Sequence, residues 1–165
     1  MLTDFLIPAP IPTKLVPGYQ MPANPEQLLS WEFVTQQMEQ SRVYWLNTLY
    51  ADGRPHAVPV WGIWHKNRVH FDGSPKTGWA RNLLRNPQIT VHLPSGDKVV
   101  IIEGHAHMLE DEALTLAEWQ TLDSLYQSKY AVDNGSPYWY VHPTKVIAWN
   151  GEDLRTMTRW VFPPT

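Results

Sequence analysis

Lys76, Thr77 and Arg81 are the residues whose types and spacing best suit chemistry. Lys76 and Thr77 lie in a loop, Gly73–Gly78, and Arg81 in the short helix it leads into, expected at Trp79–Arg85 and stopped ahead of Pro87. Two cations, a hydroxyl and the unpaired amides of a helix start can converge on one terminal phosphate. Each charge-assisted bond contributes roughly 1.5–3 kcal/mol, so two or three are enough to anchor a cofactor. A solvated basic helix face is the plainer alternative for the same residues. Arg85 lies one turn further from the helix start and is expected to matter far less.

Other chemistries find less support. His105 and His107 share one face of an expected strand, but two ligands are too few for a metal site and no third stands nearby, so no metal is expected. The chain has no cysteine, which excludes a disulfide framework, a thiolate nucleophile and a Cys-type zinc site. It contains no Gly-x-Ser-x-Gly, Walker loop, His-Glu-x-x-His or dinucleotide fingerprint. Glu103, Glu110, Asp111 and Glu112 read as strand-end and helix-cap charges rather than a catalytic carboxylate pair. A net charge of −3 argues against general nucleic-acid binding. No stretch approaches the roughly 18 consecutive apolar residues of a membrane span. The N-terminus lacks a basic region followed by an apolar run, so the expectation is a soluble, cytoplasmic protein.

The elements that must position the cationic junction are mostly strands. Residues 1–24 carry Pro8, Pro10, Pro12 and Pro17 and form an expected Pro-rich arm without regular structure, ahead of a single domain over 25–165. Pro25–Gln40 reads as a helix capped by Asn24, with Leu28, Trp31 and Met38 on one apolar stripe. Val43–Ala51 and Pro55–Trp64 flank Asp52-Gly53, which predicts a hairpin with a type I′ turn. Lys66-Asn67 turns the chain into a strand at Arg68–Asp72. Strands follow at Gln88–Leu93 and Lys98–Leu109, the second bent by a bulge at Gly104. Asp111 is the expected cap of a helix from Glu112 to about Ala131, and Lys145–Trp149 with Arg155–Phe162 make a closing hairpin. The class is α+β, an antiparallel six- or seven-stranded barrel with flanking helices; without βαβ alternation it is not a Rossmann sheet. The 9 Trp suit half-buried pleated surfaces and an interface core.

The order of hairpin, hairpin, short basic helix and hairpin over Tyr44–Met108 resembles the pyridoxamine 5'-phosphate oxidase-like flavin-binding split barrels. That superfamily also includes deazaflavin-dependent reductases. His56-Ala57-Val58-Pro59-Val60-Trp61 matches the family strand that runs under the isoalloxazine ring, with backbone around Pro59–Trp61 on the ring edge and His56 as a donor to its pyrimidine edge. The resemblance places Ser74, Lys76, Thr77, Trp79, Arg81 and Asn82 at the phosphate end. Family members commonly carry a Lys two positions before Arg-Asn-Leu that contacts the phosphate; here Trp79 stands in that place. Either Lys76 reaches in instead, or the phosphate is held differently, or cofactor binding is weakened or lost. Arg159-Trp160-x-Phe162 resembles the closing strand, which in the family's dimers lies near the flavin held mainly by the other subunit.

Two readings follow. The resemblance implies an FMN-dependent oxidoreductase, a homodimer acting on a small-molecule substrate, with a deazaflavin as alternative coenzyme. A deazaflavin carries a long anionic tail and would need a wider basic groove than Lys76 and Arg81 supply. The competing class is a non-catalytic flavin- or haem-binding split barrel, which the Trp79 departure keeps open. No residue is assigned as a catalytic acid or base.

Overall fold

Antiparallel strands carry most of the chain, and their alternation decides which side chains meet. The computed structural model describes residues 5–13, 24–109 and 114–163. Its strands are β1 (Ile11–Pro12), β2 (Tyr44–Leu49), β3 (Pro55–Val60), β4 (Ile63–His65), β5 (Arg68–Asp72), β6 (Gln88–His92), β7 (Lys98–Leu109), β8 (Tyr138–Asn150) and β9 (Asp153–Val161). Its helices are α1 (Trp31–Gln40), α2 (Gly78–Arg85) and α3 (Leu116–Tyr130). Along the sheet the order is β1-β9-β8-β7-β6-β2-β3, and β5 joins β4 to β8. The long β8 is shared, since Tyr138–Tyr140 pair with β5 while Lys145–Asn150 pair with β9. This is the antiparallel α+β split barrel with flanking helices that the sequence predicts, but with nine strands among the described residues where six or seven are expected, because β1 is added and the run Pro55–Trp64 divides into β3 and β4. Inward residues such as Tyr44, Leu46, Phe71, Val91, Ile102 and Trp160 fill one main core.

Several elements differ in detail, each for a local reason. The single strand expected at Pro55–Trp64 breaks at Trp61-Gly62, so that β3 pairs with β2 and β4 with β5. Gly62 permits the break, because a Cβ there would lie 2.5 Å from the His70 carbonyl oxygen. The two turns exchange character. Only Gly53 has positive φ in the first hairpin, so Asp52-Gly53 forms no type I′ turn; Gly53 N–H bonds Tyr50 O at 3.0 Å and Tyr50 N–H bonds Arg54 O at 2.9 Å. Lys66 and Asn67 both have positive φ, 47° and 58°, between paired His65 and Arg68, and they make the type I′ turn instead.

The register between β7 and β8 shifts at Glu103/Gly104, as a bulge there predicts. Thr144 is the extra residue, because Glu103 pairs with Lys145 and Gly104 with Pro143. A Cβ on Gly104 would meet the His142 carbonyl oxygen at 2.2 Å, which explains the glycine. Beyond the bulge β8 extends back to Tyr138, further than the expected Lys145–Trp149.

Asn24 does cap a helical turn, accepting from the Glu26 amide at 3.0 Å, but that turn is a 3-10 segment over Pro25–Gln27 and α1 starts afresh at Trp31. Helix α3 begins at Leu116 under a capping box of Thr115 and Glu118; the proposed cap Asp111 and start Glu112 lie outside the described residues. Part of the arm is ordered as an edge strand, with Ile11 and Pro12 opposite Arg159 and Thr158, and Phe5 packs edge-on against Phe162. No helix among the described residues is long and apolar enough to cross a membrane.

His70 on β5 gives the fold an acid limit. Its ring is fully buried; with Nε2 donating to the His65 carbonyl at 3.2 Å, Nδ1 is left with no partner. Burial first, then the nearby His65, Arg68 and Lys66, push its pKa down from 6.5 to about 3. The unfolded chain therefore takes up a proton below pH 6.5 that the folded chain refuses until about pH 3, and stability falls across that window as pH drops. Urea unfolding of wild type and His70→Phe should show it: the wild-type free energy should fall more steeply, by up to about 1.4 kcal/mol per pH unit. Parallel slopes would mean the ring is not held neutral.

Candidate functional site

The site is built where α2 abuts the first hairpin. Thr77 caps α2, its hydroxyl oxygen accepting from the Ala80 amide at 3.4 Å and donating its proton to the Ser74 carbonyl at 2.9 Å. Ser74 in turn accepts the Lys76 amide at 3.2 Å, which folds the loop back on itself. The Thr77 hydroxyl is thus spent on shaping the helix start. The Arg81 amide bonds the Thr77 carbonyl, so the amides of Gly78 and Trp79 are the ones that open from the helix mouth. Lys76 and Arg81 are both exposed beside that mouth.

His56 of β3 lies against the same mouth. Its Cε1 and Nε2 stand 3.8 Å from where a Gly78 Cβ would be, and Tyr50 covers its ring at 4.9 Å between centroids. Its Nδ1 meets Thr48 Oγ1 at 3.2 Å. His56 thus stands between β2 and the start of α2. Further along β3, Ala57 and Pro59 are exposed while Val58 and Val60 are half-buried against the core. Strand β3 ends the path of the sheet, so among the described residues its outer backbone edge has no partner strand, and Pro55 and Pro59 remove two of its amides. Trp61 follows with half its surface exposed, its ring stacked on Tyr130 at 4.9 Å and 6°.

Four of the residues singled out from sequence face elsewhere within the chain. Trp79 is 7 % exposed, edge-on to Phe71 and Trp139 in the core. Asn82 is buried and gives its amide to Thr48 at 3.0 Å. Trp160 is fully buried, edge-on to Trp31. Arg159 sits on the outer face of the sheet, in a lateral row that runs Pro59, Trp45, His92, Ile101, Ile147, Arg159, Ile11 across paired strands. Pro59 and Arg159 therefore share a face but stand five strands apart, roughly 24 Å along the sheet.

Sequence reasoning missed Thr48, Tyr50 and the reach of Arg85. The signal for Thr48 was present: Tyr44, Leu46 and Thr48 alternate on the buried side of β2, and a hydroxyl at that parity needs a partner. A shallow groove of about 450 Å³ also crosses the outer face, lined among others by Asn47, Thr90, Glu103, His105 and Thr144. It contains none of the cationic residues of the helix mouth. Among the described residues no group of His, Asp or Glu is arranged to hold a metal, and His105 and His107 gain no third ligand.

Comparison with known proteins adds a family. A family model described as pyridoxamine 5'-phosphate oxidase matches residues 30–150. No curated protein matches in sequence. Among solved structures, a conserved hypothetical protein of Mycobacterium tuberculosis superposes with a TM-score of 0.64 at 18% identity, over 78% of this chain and 89% of that one. The FAD binding protein of Mycobacterium smegmatis gives 0.55 at 17% identity, over 74% and 96%. An F420 reductase gives 0.52 at 20% identity, over 67% and 93%. At such identities the likeness carries the fold.

Proposed function

The chain belongs to the pyridoxamine 5'-phosphate oxidase family, and from that premise we propose that it is an FMN-dependent oxidoreductase for a small-molecule substrate, its flavin held between two copies of the chain. The observation that carries this reading is the grouping of donors at the start of α2. The Gly78 and Trp79 amides are open there with His56 beside them, and exposed Lys76 and Arg81 flank them in the chain, which together make the donor set a phosphate dianion requires. Beside it, β3 presents to a ring a backbone edge that no described strand pairs, and the exposed surface of Ala57 and Pro59. FMN, when bound, supplies hydride or electron transfer at its central ring. The chain's own residues bind the phosphate, orient the ring against β3 and shield it from water. The basic cluster is compact, which favours FMN over a deazaflavin with a longer anionic tail.

The outer-face row supports the second copy. Trp45, Ile101 and Ile147 are only partly covered there, Ile11 is 36 % exposed and Val161 49 %. An apolar sheet face of this extent is commonly covered by a two-fold partner. Such a partner could also bring its copy of Arg159 towards β3, which one chain alone does not do. Purified protein should be yellow, bleach with reductant, and run as a dimer in light scattering at micromolar concentration. Colourless protein that binds no added FMN would reject the flavin reading, and a monomer would reject the shared site.

A further inference from the structure

We propose that Arg85, Asn82 and Thr48 form a hydrogen-bond relay that fixes His56 with its proton on Nε2, aimed at the open start of α2, so that His56 serves as a dedicated donor to an anionic oxygen. The identity of that anion as a flavin phosphate rests on the function proposed above; the tautomer does not.

The relay follows from what each group is able to donate. A guanidinium only donates. Arg85 Nη2 reaches both the Leu49 carbonyl and Asn82 Oδ1, each at 3.1 Å, so the carboxamide oxygen of Asn82 must face Arg85. Its Nδ2 then faces Thr48 Oγ1 at 3.0 Å and donates to it. Thr48 is 3 % exposed, and its hydroxyl oxygen already accepts. Its one proton needs an acceptor, and His56 Nδ1 lies at 3.2 Å. The opposite arrangement, with Nδ1–H donating to Thr48, would leave a buried hydroxyl proton without a partner, which is unfavourable. The imidazole proton therefore belongs on Nε2.

Geometry gives that proton a direction. The Cε1–Nε2 edge of the ring faces Gly78, the first residue of α2, both atoms standing 3.8 Å from where a Gly78 Cβ would be, and Tyr50 packs against the imidazole at 4.9 Å between centroids. The Nε2–H group thus joins the Gly78 and Trp79 amides at the same mouth. Arg85, remote from that mouth, acts as a positioning residue through Asn82 and Thr48. This replaces the expectation that it has little part in the site.

Ring-nitrogen correlations in proton–nitrogen NMR of the full-length protein without flavin test the relay directly, with His56→Gln identifying the His56 signals. Wild type should show the Nε2–H tautomer. Thr48→Val should give a mixture of both tautomers and an FMN affinity lower by about three- to tenfold. Thr48→Ser keeps the hydroxyl and should restore both readouts, which a merely structural role for the methyl-bearing side chain would not predict. A wild-type proton on Nδ1, or a Thr48→Val tautomer unchanged from wild type, would overturn the relay. Failure of wild type to bind FMN, with the Nε2–H tautomer present and lost in Thr48→Val, would leave the relay standing and sink the flavin reading alone.

Discussion

Replacing Trp79 with lysine, the residue the family resemblance leads one to expect there, is expected to unfold the protein or nearly so, rather than to tighten its grip on a phosphate. The indole is 7 % exposed and meets Phe71 at 5.3 Å and 72° and Trp139 at 5.3 Å and 75°. It also occupies the space over Gly73, where a Cβ would come within 2.7 Å of its Cζ2. Trp139 Nε1 bonds the Gly73 carbonyl at 3.2 Å, so the loop leading to α2 is hung on this aromatic cluster. Truncating a buried Trp costs about 3–5 kcal/mol, and an ammonium in its place adds the cost of burying an unpaired charge. Domains of this kind have about 5–15 kcal/mol in total. Urea unfolding should show a folded but weakened Trp79→Phe and a Trp79→Lys with little or no folded baseline. A Trp79→Lys protein as stable as wild type, and binding FMN more tightly, would show instead that position 79 belongs to the phosphate site. Trp79 is a core residue of this chain, and Lys76 and Arg81 are the exposed cations next to it in sequence.

What the sequence made legible were the features that depend on local pattern. Strand-like runs between turn signals located β2, β3, β6 and β7, and the Gly104 bulge was visible as a glycine within a long strand. The cap at Asn24 was legible for the same reason, since capping is decided by a side chain and the amides beside it. Features set by distant partners were not. The strand from Pro55 breaks because β2 claims its first half and β5 its second. Tyr138–Thr144 extends β8 because β5 and β7 flank it, a pairing no window of sequence contains. In the candidate site the charges were legible and the relay was not. Thr48 and Asn82 are 34 positions apart and meet only because α2 packs over β2.

Removing Arg81 is expected to weaken FMN binding by about tenfold, within a range of ten- to a hundredfold that one lost charge-assisted bond would give. The lower end is the better expectation, because Arg81 is exposed in the single chain and water screens part of its attraction. Lys76 is exposed on the preceding loop, and its single point charge without the fixed fork of a guanidinium should give Lys76→Ala a smaller loss. Removing both should be worse than either alone, because both cations are proposed to face the same phosphate dianion. Riboflavin supplies the control within the same protein: it keeps the ring and lacks the phosphate, so wild type and Arg81→Ala should bind it equally. Titration followed by flavin fluorescence measures all of these, and adding salt should narrow the gap between wild type and variant for FMN alone. Equal FMN affinity in wild type and Arg81→Ala would move the phosphate away from α2. Equal losses for FMN and riboflavin would place Arg81 at the ring, since the phosphate is the one group the two ligands do not share.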